Sequence, residues 1–438
     1  MSETIRFTLD GREITAAPDE TIWQVAAREG TEIPHLCYAP EPGYRPDGNC
    51  RACMVHIEGE RVLAASCLRK PTEGMVVDTE AERARKARAM VIEMLSADQP
   101  AREIAHDGQS RFWQWADRLD IHESRFPARD PAPGADPSHP AMAVNLDACI
   151  HCNLCLRACR EVQSNDVIGM AARGARSKIV FDFDDPMGES TCVACGECVQ
   201  ACPTGALLPA SMVDADGVGV EKADTTVDSV CPFCGVGCQI TYHLKDGKIQ
   251  KVDGRNGPAN QQRLCVKGRF GLDYVHHPHR LKTPLIRKDG VGKRWDNQVD
   301  PADPSTHFRT ASWDEALDAA AAGLVRAREA HGGNAVAGFG SAKGSNEEAY
   351  LFQKLIRAGF RTNNVDHCTR LCHASSVAAL STSLTANLAA LYTASSSSPS
   401  SSVSSSAPTS LFGEGVVPRS SEDPRGAILG RAASRVSA

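Results

Sequence analysis

Two runs of four cysteines with identical gaps constrain this chain more than any other feature. Cys149, Cys152, Cys155 and Cys159 are spaced C-x2-C-x2-C-x3-C. Cys192, Cys195, Cys198 and Cys202, followed by Pro203, repeat that spacing. It is the spacing of bacterial proteins that carry two four-iron cubanes. Three thiolates of each run reach three corners of one cubane, and the fourth crosses to the other. Cys149, Cys152, Cys155 and Cys202 are therefore expected to hold one 4Fe-4S cluster, and Cys192, Cys195, Cys198 and Cys159 the second. The first run has Arg160 where proline is usual. The competing reading is a pair of zinc sites, but zinc knuckles rarely use three thiols at two-residue gaps twice.

Two more sets flank these runs. Cys37, Cys50, Cys53 and Cys67 have gaps that run long, short, long, which suits a loop around a rhomb of two irons, although the plant-type spacing differs. Gly43, Pro46 and Gly48 keep the loop irregular, so that backbone N–H groups can face the sulfurs. Cys231, Cys234, Cys238 and the distant Cys265 suit a single cubane, with Gly235 and Gly237 to let the chain wrap tightly. Taken alone, either set also fits zinc; their company of redox sites favours iron. Cys368 and Cys372 remain, and by spacing alone they read as buried or incidental thiols.

The abundance of thiols sets the expected compartment. The chain has 18 cysteines in 438 residues. No apolar leader core or twin arginine opens it, and no apolar run is long enough to span a membrane. The expected location is cytoplasmic, where clustered cysteines serve metals rather than disulfides. A formal net charge of −6 gives no basic field to draw in nucleic acid. Redox partners or a larger complex suit it better.

Along the chain, Thr4–Leu9 and Arg12–Ala17 flank an Asp10-Gly11 hairpin turn, and Asp19–Glu29 reads as a helix closed by Gly30. Thr79 and Glu82 are expected to form a capping box, with Asp98–Arg125 also helical. Residues 127–140 read as a proline-rich linker. Ser312 is expected to cap a helix to about Ala330, Ala335–Phe339 to form a strand and Asn346–Gly359 a helix, the alternation that opens an α/β domain. That domain is not completed. No charged residue occurs from Leu371 to Gly413, and residues 394–406 are nearly all serine. Such a stretch cannot offset its ordering entropy. It is expected to be disordered, either as a flexible tail or as non-native sequence after a frameshift; the abrupt change favours the second.

This order of sites, with the Cys265-Val-Lys-Gly-Arg269 segment, resembles the catalytic α subunit of cytoplasmic, NAD-linked, molybdenum-dependent formate dehydrogenase. More distantly it is similar to the large iron–sulfur subunit of respiratory complex I. The resemblance runs from the N-terminus to about Leu380 and covers the front part of that subunit. It implies an α+β multidomain fold: a β-grasp 2Fe-2S ferredoxin at 1–78, a helical region with a degenerate one-His, three-Cys cluster site at 79–126, and two 4Fe-4S ferredoxin repeats at 140–212. A small β-rich 4Fe-4S domain of the molybdenum/tungsten bis(molybdopterin guanine dinucleotide) type follows at 224–280, then the start of a molybdopterin oxidoreductase α/β domain at 281–380, truncated before the disordered tail at 381–438.

The resemblance also implies roles. Cys372 maps onto a molybdenum ligand, His373 onto the neighbouring proton acceptor, and Lys267 onto a lysine between cubane and pterin. Formate would give a hydride to molybdenum and leave as CO2, with electrons passing through the clusters to a flavin/NAD-binding subunit and a small Fe-S subunit. Two departures stand out. Relatives often carry a His-x3-Cys-x2-Cys-x5-Cys site after the β-grasp domain, whereas here Ser110 and Trp113 follow His106, so that cluster is expected to be absent and His106 an ordinary surface residue. Most of the pterin-binding domains also lie beyond the point where the chain breaks down. For the chain as written, electron transfer without turnover is favoured. A complex I-like subunit, a stand-alone electron-transfer module and a zinc-stabilised interaction protein remain the alternatives.

Overall fold

The computed structural model describes residues 4–293, 298–368, 370, 374, 378 and 381. Nearly all of them lie in one unit, Met1–Arg370. At its start, Asp10 and Gly11 adopt left-handed φ values of 48° and 77°. That turn joins β1 (Ile5–Leu9) to β2 (Arg12–Ala16) in an antiparallel hairpin. Thr21 caps α1 (Ile22–Arg28) through a capping box with Gln24, and Gly30, at φ 80°, ends it as the sequence anticipates. Strands β3 (Met54–Ile57), β4 (Ala64–Ala65) and β5 (Val76–Asp78) complete a sheet of order β2-β1-β5-β3-β4, with β1 and β5 parallel. The helix lays Ile22, Val25 and Trp23 on Phe7, Leu9, Val55, Ile57 and Val77 of the sheet.

The next region departs from the expected pattern. α2 runs over Glu82–Ser96, but Ala81 stands at its N-cap and no side chain caps it. Thr79 is engaged elsewhere: its N–H and hydroxyl both donate to the Asp10 carboxylate, at 2.7 and 2.9 Å. The expected capping box is therefore replaced by a tie between the end of β5 and the hairpin. Residues 98–125 are not one helix either. A short 3-10 turn at Arg102–Ile104 precedes α3 (Arg111–Arg118). Ile92, Phe112, Trp115 and Ala116 pack on Leu36 and Ala52, which places α2 and α3 against the first cysteine loop.

β6 (Ala135–Asp136), β7 (Met142–Asn145) and, later, β10 (Leu207–Pro209) form a three-stranded sheet. Between them, α4 (Leu154–Arg157) and α5 (Glu197–Ala201) each begin inside a cysteine run, separated by the β8 (Ile168–Ala171) and β9 (Lys178–Phe181) hairpin. The core of this region also takes in Cys37 and Ala39 from the first domain. A second three-stranded sheet follows: β11 (Thr225–Val230), β12 (Gln239–Lys245) and β13 (Lys248–Gly254), with α6 (Val266–Phe270) packed on it.

β14 (Leu285–Arg287) pairs with β15 (Phe308–Thr310). Ser312 then caps α7 (Trp313–His331) by accepting from Glu315 N–H. The expected strand at 335–339 is shifted: a 3-10 turn occupies Gly333–Ala335, and β16 is Gly338–Gly340. α8 (Asn346–Lys354) connects it to a parallel partner, β17 (Val365–His367), so this segment is a β-α-β unit. Neither α7 nor α8 buries a residue, and Phe339 is 81% exposed. No helix among the described residues is long and apolar enough to cross a membrane.

Candidate metal centres

The two central cysteine runs share their backbone as well as their spacing. His151 and Asn153 in the first, and Ala194 and Gly196 in the second, all adopt positive φ. This alternation turns consecutive N–H groups towards the sulfurs. Ala194 N–H donates to Cys192 Sγ and Val167 N–H to Cys159 Sγ, each at 3.3 Å. Gly196 is required on steric grounds too, because a Cβ there would lie 2.0 Å from Arg269 Cδ.

The thiols fall into groups across the two runs. Cys149, Cys152, Cys155 and Cys202 line one pocket, bounded by Leu146, Ile179, Pro203 and Leu207. Burial pushes the Cys149 thiol up to about 11 and the Cys152 and Cys155 thiols higher, and the charges of their own group add to the effect. In the other group, Cys192 and Cys195 are raised by burial and by Cys159, and Cys198 by burial, Cys195, Cys192 and Cys159. A thiol so placed stays protonated until a metal displaces the proton. All the described cysteines are free thiols.

The first set is more compact. Cys53 and Cys67 stand 3.4 Å apart at sulfur. Hydrogen bonds from Cys50 and Cys67 hold Cys37 well below the usual thiol range, and the same contacts raise Cys50 and Cys67. Ala52 N–H points at Cys50 Sγ at 3.5 Å. In the third region Cys231 and Cys238 are closed by a 2.9 Å bond from Cys231 N–H to the Cys238 carbonyl, and Cys265 caps α6. Burial raises Cys231, and the Cys265 and Cys234 charges add to it. Four soft donors in each group are the donor chemistry that iron–sulfur clusters use. Among the described residues, no three His, Cys, Asp or Glu side chains converge on a single-ion position.

The four groups follow one another in space. The Cys37 charge acts on Cys152, and the Cys198 charge on Cys155. Cys195 shares one groove with Cys238 and Cys265. Buried polar residues hold these seams, and sequence reasoning missed them. Arg157 joins the first two groups, donating to the Cys37 carbonyl at 2.6 Å and the Cys152 carbonyl at 3.3 Å. Arg269 of α6 donates to the Cys195 carbonyl at 2.8 Å and pairs with Glu197 at 3.3 Å, while Tyr44 donates to the same carboxylate at 3.0 Å.

The remaining candidates are less gathered. Lys267 lies on α6, exposed, two residues past Cys265. Cys368 is exposed just past β17 and accepts from Ala342 N–H at 3.2 Å, and Ala342 in turn accepts from Gly235 N–H at 2.7 Å in the third cysteine loop. Cys372, His373 and residues 382–438 of the expected tail lie outside the described residues. His106 is not a surface residue: it is 4% exposed, beside Gly217, and burial pushes its imidazole below the usual range. Ser110, at the first missing cysteine of that degenerate site, is buried with it.

Comparison with known proteins follows the same division. A 2Fe-2S iron-sulfur cluster binding domain family matches residues 2–82, and a 4Fe-4S dicluster domain family residues 148–206. The molybdopterin oxidoreductase Fe4S4 domain matches 224–277 and the molybdopterin oxidoreductase family 280–407. The NADPH-Fe(3+) oxidoreductase subunit alpha of Geobacter sulfurreducens is 32% identical over 374 residues, covering 85% of this chain and 41% of that protein. An NADH-quinone oxidoreductase subunit of Rhizobium meliloti is 33% identical over 374 residues, covering 84% and 40%. A Bacillus subtilis protein named "Putative formate dehydrogenase YrhE" is 30% identical over 420 residues, covering 86% and 41%. The chain thus spans about 40% of the length of these relatives.

Proposed function

We propose that this chain, in which iron–sulfur domains lead into a molybdopterin oxidoreductase segment, is the electron-conducting part of a formate dehydrogenase α-type subunit. One observation carries the reading: the four cysteine groups form a series, with Cys37, Cys152, Cys155, Cys159 and Cys198 in one buried cluster and Cys195, Cys238 and Cys265 lining one groove. Cys37, Cys50, Cys53 and Cys67 would hold a 2Fe-2S cluster. Cys149, Cys152, Cys155 and Cys202 would hold one 4Fe-4S cluster, Cys192, Cys195, Cys198 and Cys159 a second, and Cys231, Cys234, Cys238 and Cys265 a third. When bound, the clusters supply one-electron transfer. The protein's part is to bury most of the ligand thiols of the first three groups at least partly, to offer N–H groups to the sulfurs and to fix the spacing between groups.

Formate as the substrate rests on the resemblance of the chain and on the names of relatives such as the Bacillus subtilis protein. In that reading Cys372 ligates molybdenum, His373 accepts the proton, and Lys267 stands between the third cubane and the pterin. Its place just past Cys265 supports the last of these. A cytoplasmic flavin/NAD-binding subunit and a small Fe-S subunit would take the electrons. A complex I-like role is the second reading, favoured by the NADH-quinone oxidoreductase relative at 33% identity.

The test is to purify the chain without oxygen and measure iron, zinc, molybdenum and formate-dependent dye reduction. About fourteen irons per chain are expected from these ligand sets. Molybdenum together with formate-dependent activity assigns formate oxidation to this chain, and iron alone leaves it an electron conductor. Zinc in place of iron overturns the proposal.

A further inference from the structure

Arg157 is among the most deeply buried side chains of the protein, at 1% exposure. Its guanidinium remains a cation, and placing a cation in a protein interior costs several kcal/mol unless it is compensated. The compensation here is unusual, because it comes from backbone carbonyls. Arg157 donates to Asn153, to Arg45, to Cys37 at 2.6 Å and to Cys152 at 3.3 Å. The nearest carboxylate, Asp47, lies 3.9 Å from Nε and already accepts from Arg45 at 2.8 Å. Arg269 at the other seam differs. It is equally buried and also holds a cysteine carbonyl, but Glu197 neutralises it.

Two of the peptides that Arg157 grips belong to cysteines of different groups. If each group holds a cluster, four thiolates make it a net anion, and reduction adds a further negative charge. A cation fixed between two such anions favours their reduced states, and cluster potentials follow local charge and hydrogen bonding. We propose that Arg157 is a positioning residue of the electron path. It fixes the Cys37 group against the Cys149–Cys202 group, and its charge raises the reduction potential of both. This inference rests on the iron–sulfur reading above.

The experiment is an anaerobic redox titration of the full chain, followed by electron paramagnetic resonance, for wild type, Arg157→Gln and Arg157→Lys. At the potential where the wild-type 2Fe-2S cluster is half reduced, Arg157→Gln is expected to lower its reduced-to-oxidised ratio roughly tenfold, the scale of one lost charged hydrogen bond. The neighbouring cubane shifts the same way, and the cubane of the Cys231 group does not. Arg157→Lys keeps the charge and restores most of the ratio. Full iron content with unshifted titrations in the Gln variant overturns the inference. So does a Lys variant that shifts as far as Gln, or loss of clusters from both variants, which would make Arg157 a structural strut alone. A wild type without any 2Fe-2S signal would instead sink the underlying reading.

Discussion

A buried thiol gives up its proton only to something that replaces it, and that governs what single residues do here. Burial and neighbouring thiols raise Cys155 and Cys198 far above the ordinary range, so cluster assembly must release protons and reward burial at once. Cys155→Ala is expected to cost about four irons per chain and to loosen the second cubane, because the two runs exchange their last cysteines. An unchanged iron content would refute the crossed arrangement. The cysteines could be singled out from sequence because their spacing is the information. Arg157, Glu197 and His106 could not. Charged and imidazole side chains are exposed in most proteins, and nothing local marks the few that are buried. What buries Arg157 is the Cys37 peptide, 120 residues away in sequence.

At the scale of elements, local signals were legible where the partner is local. The Asp10-Gly11 turn, the Gly30 stop and the Ser312 cap all depend on residues within a turn of themselves. The Thr79–Glu82 reading failed because a better acceptor lies across the sheet. Asp10, whose N–H is tied to the Val77 carbonyl at 2.9 Å, takes both donors of Thr79 on its carboxylate, and the sequence around Thr79 holds no trace of it. This ordering is testable. Thr79→Val removes one of the two bonds and is expected to weaken the junction of β5 with the hairpin by about 1 kcal/mol. Glu82→Ala, which removes the supposed capping partner, is expected to change it far less. Hydrogen exchange of the β1 and β5 amides reads the difference; equal effects would restore the capping box.

At the scale of the whole unit, the question is what keeps the three cysteine regions in register. Apolar packing does part of it, with Cys37 and Ala39 of the first domain entering the core of the second. The more specific contact is the Tyr44, Glu197 and Arg269 set, which draws one residue from each region onto a single buried carboxylate. Burial raises the Glu197 carboxyl, and the Arg269 charge and the Tyr44 hydroxyl oppose that rise. Glu197 and Arg269 are 4% and 1% exposed, so neither has water to fall back on. Breaking such a pair leaves a bare charge inside, a loss of about 3–5 kcal/mol. Glu197→Ala is therefore expected to release the third region from the second while leaving the β-grasp sheet intact. Limited proteolysis should then cut between residues 212 and 224 faster than in wild type, with no new cleavage before residue 78. If the cleavage pattern does not change, the regions are held by packing alone, and the groove that Cys195 shares with Cys238 and Cys265 does not depend on this pair.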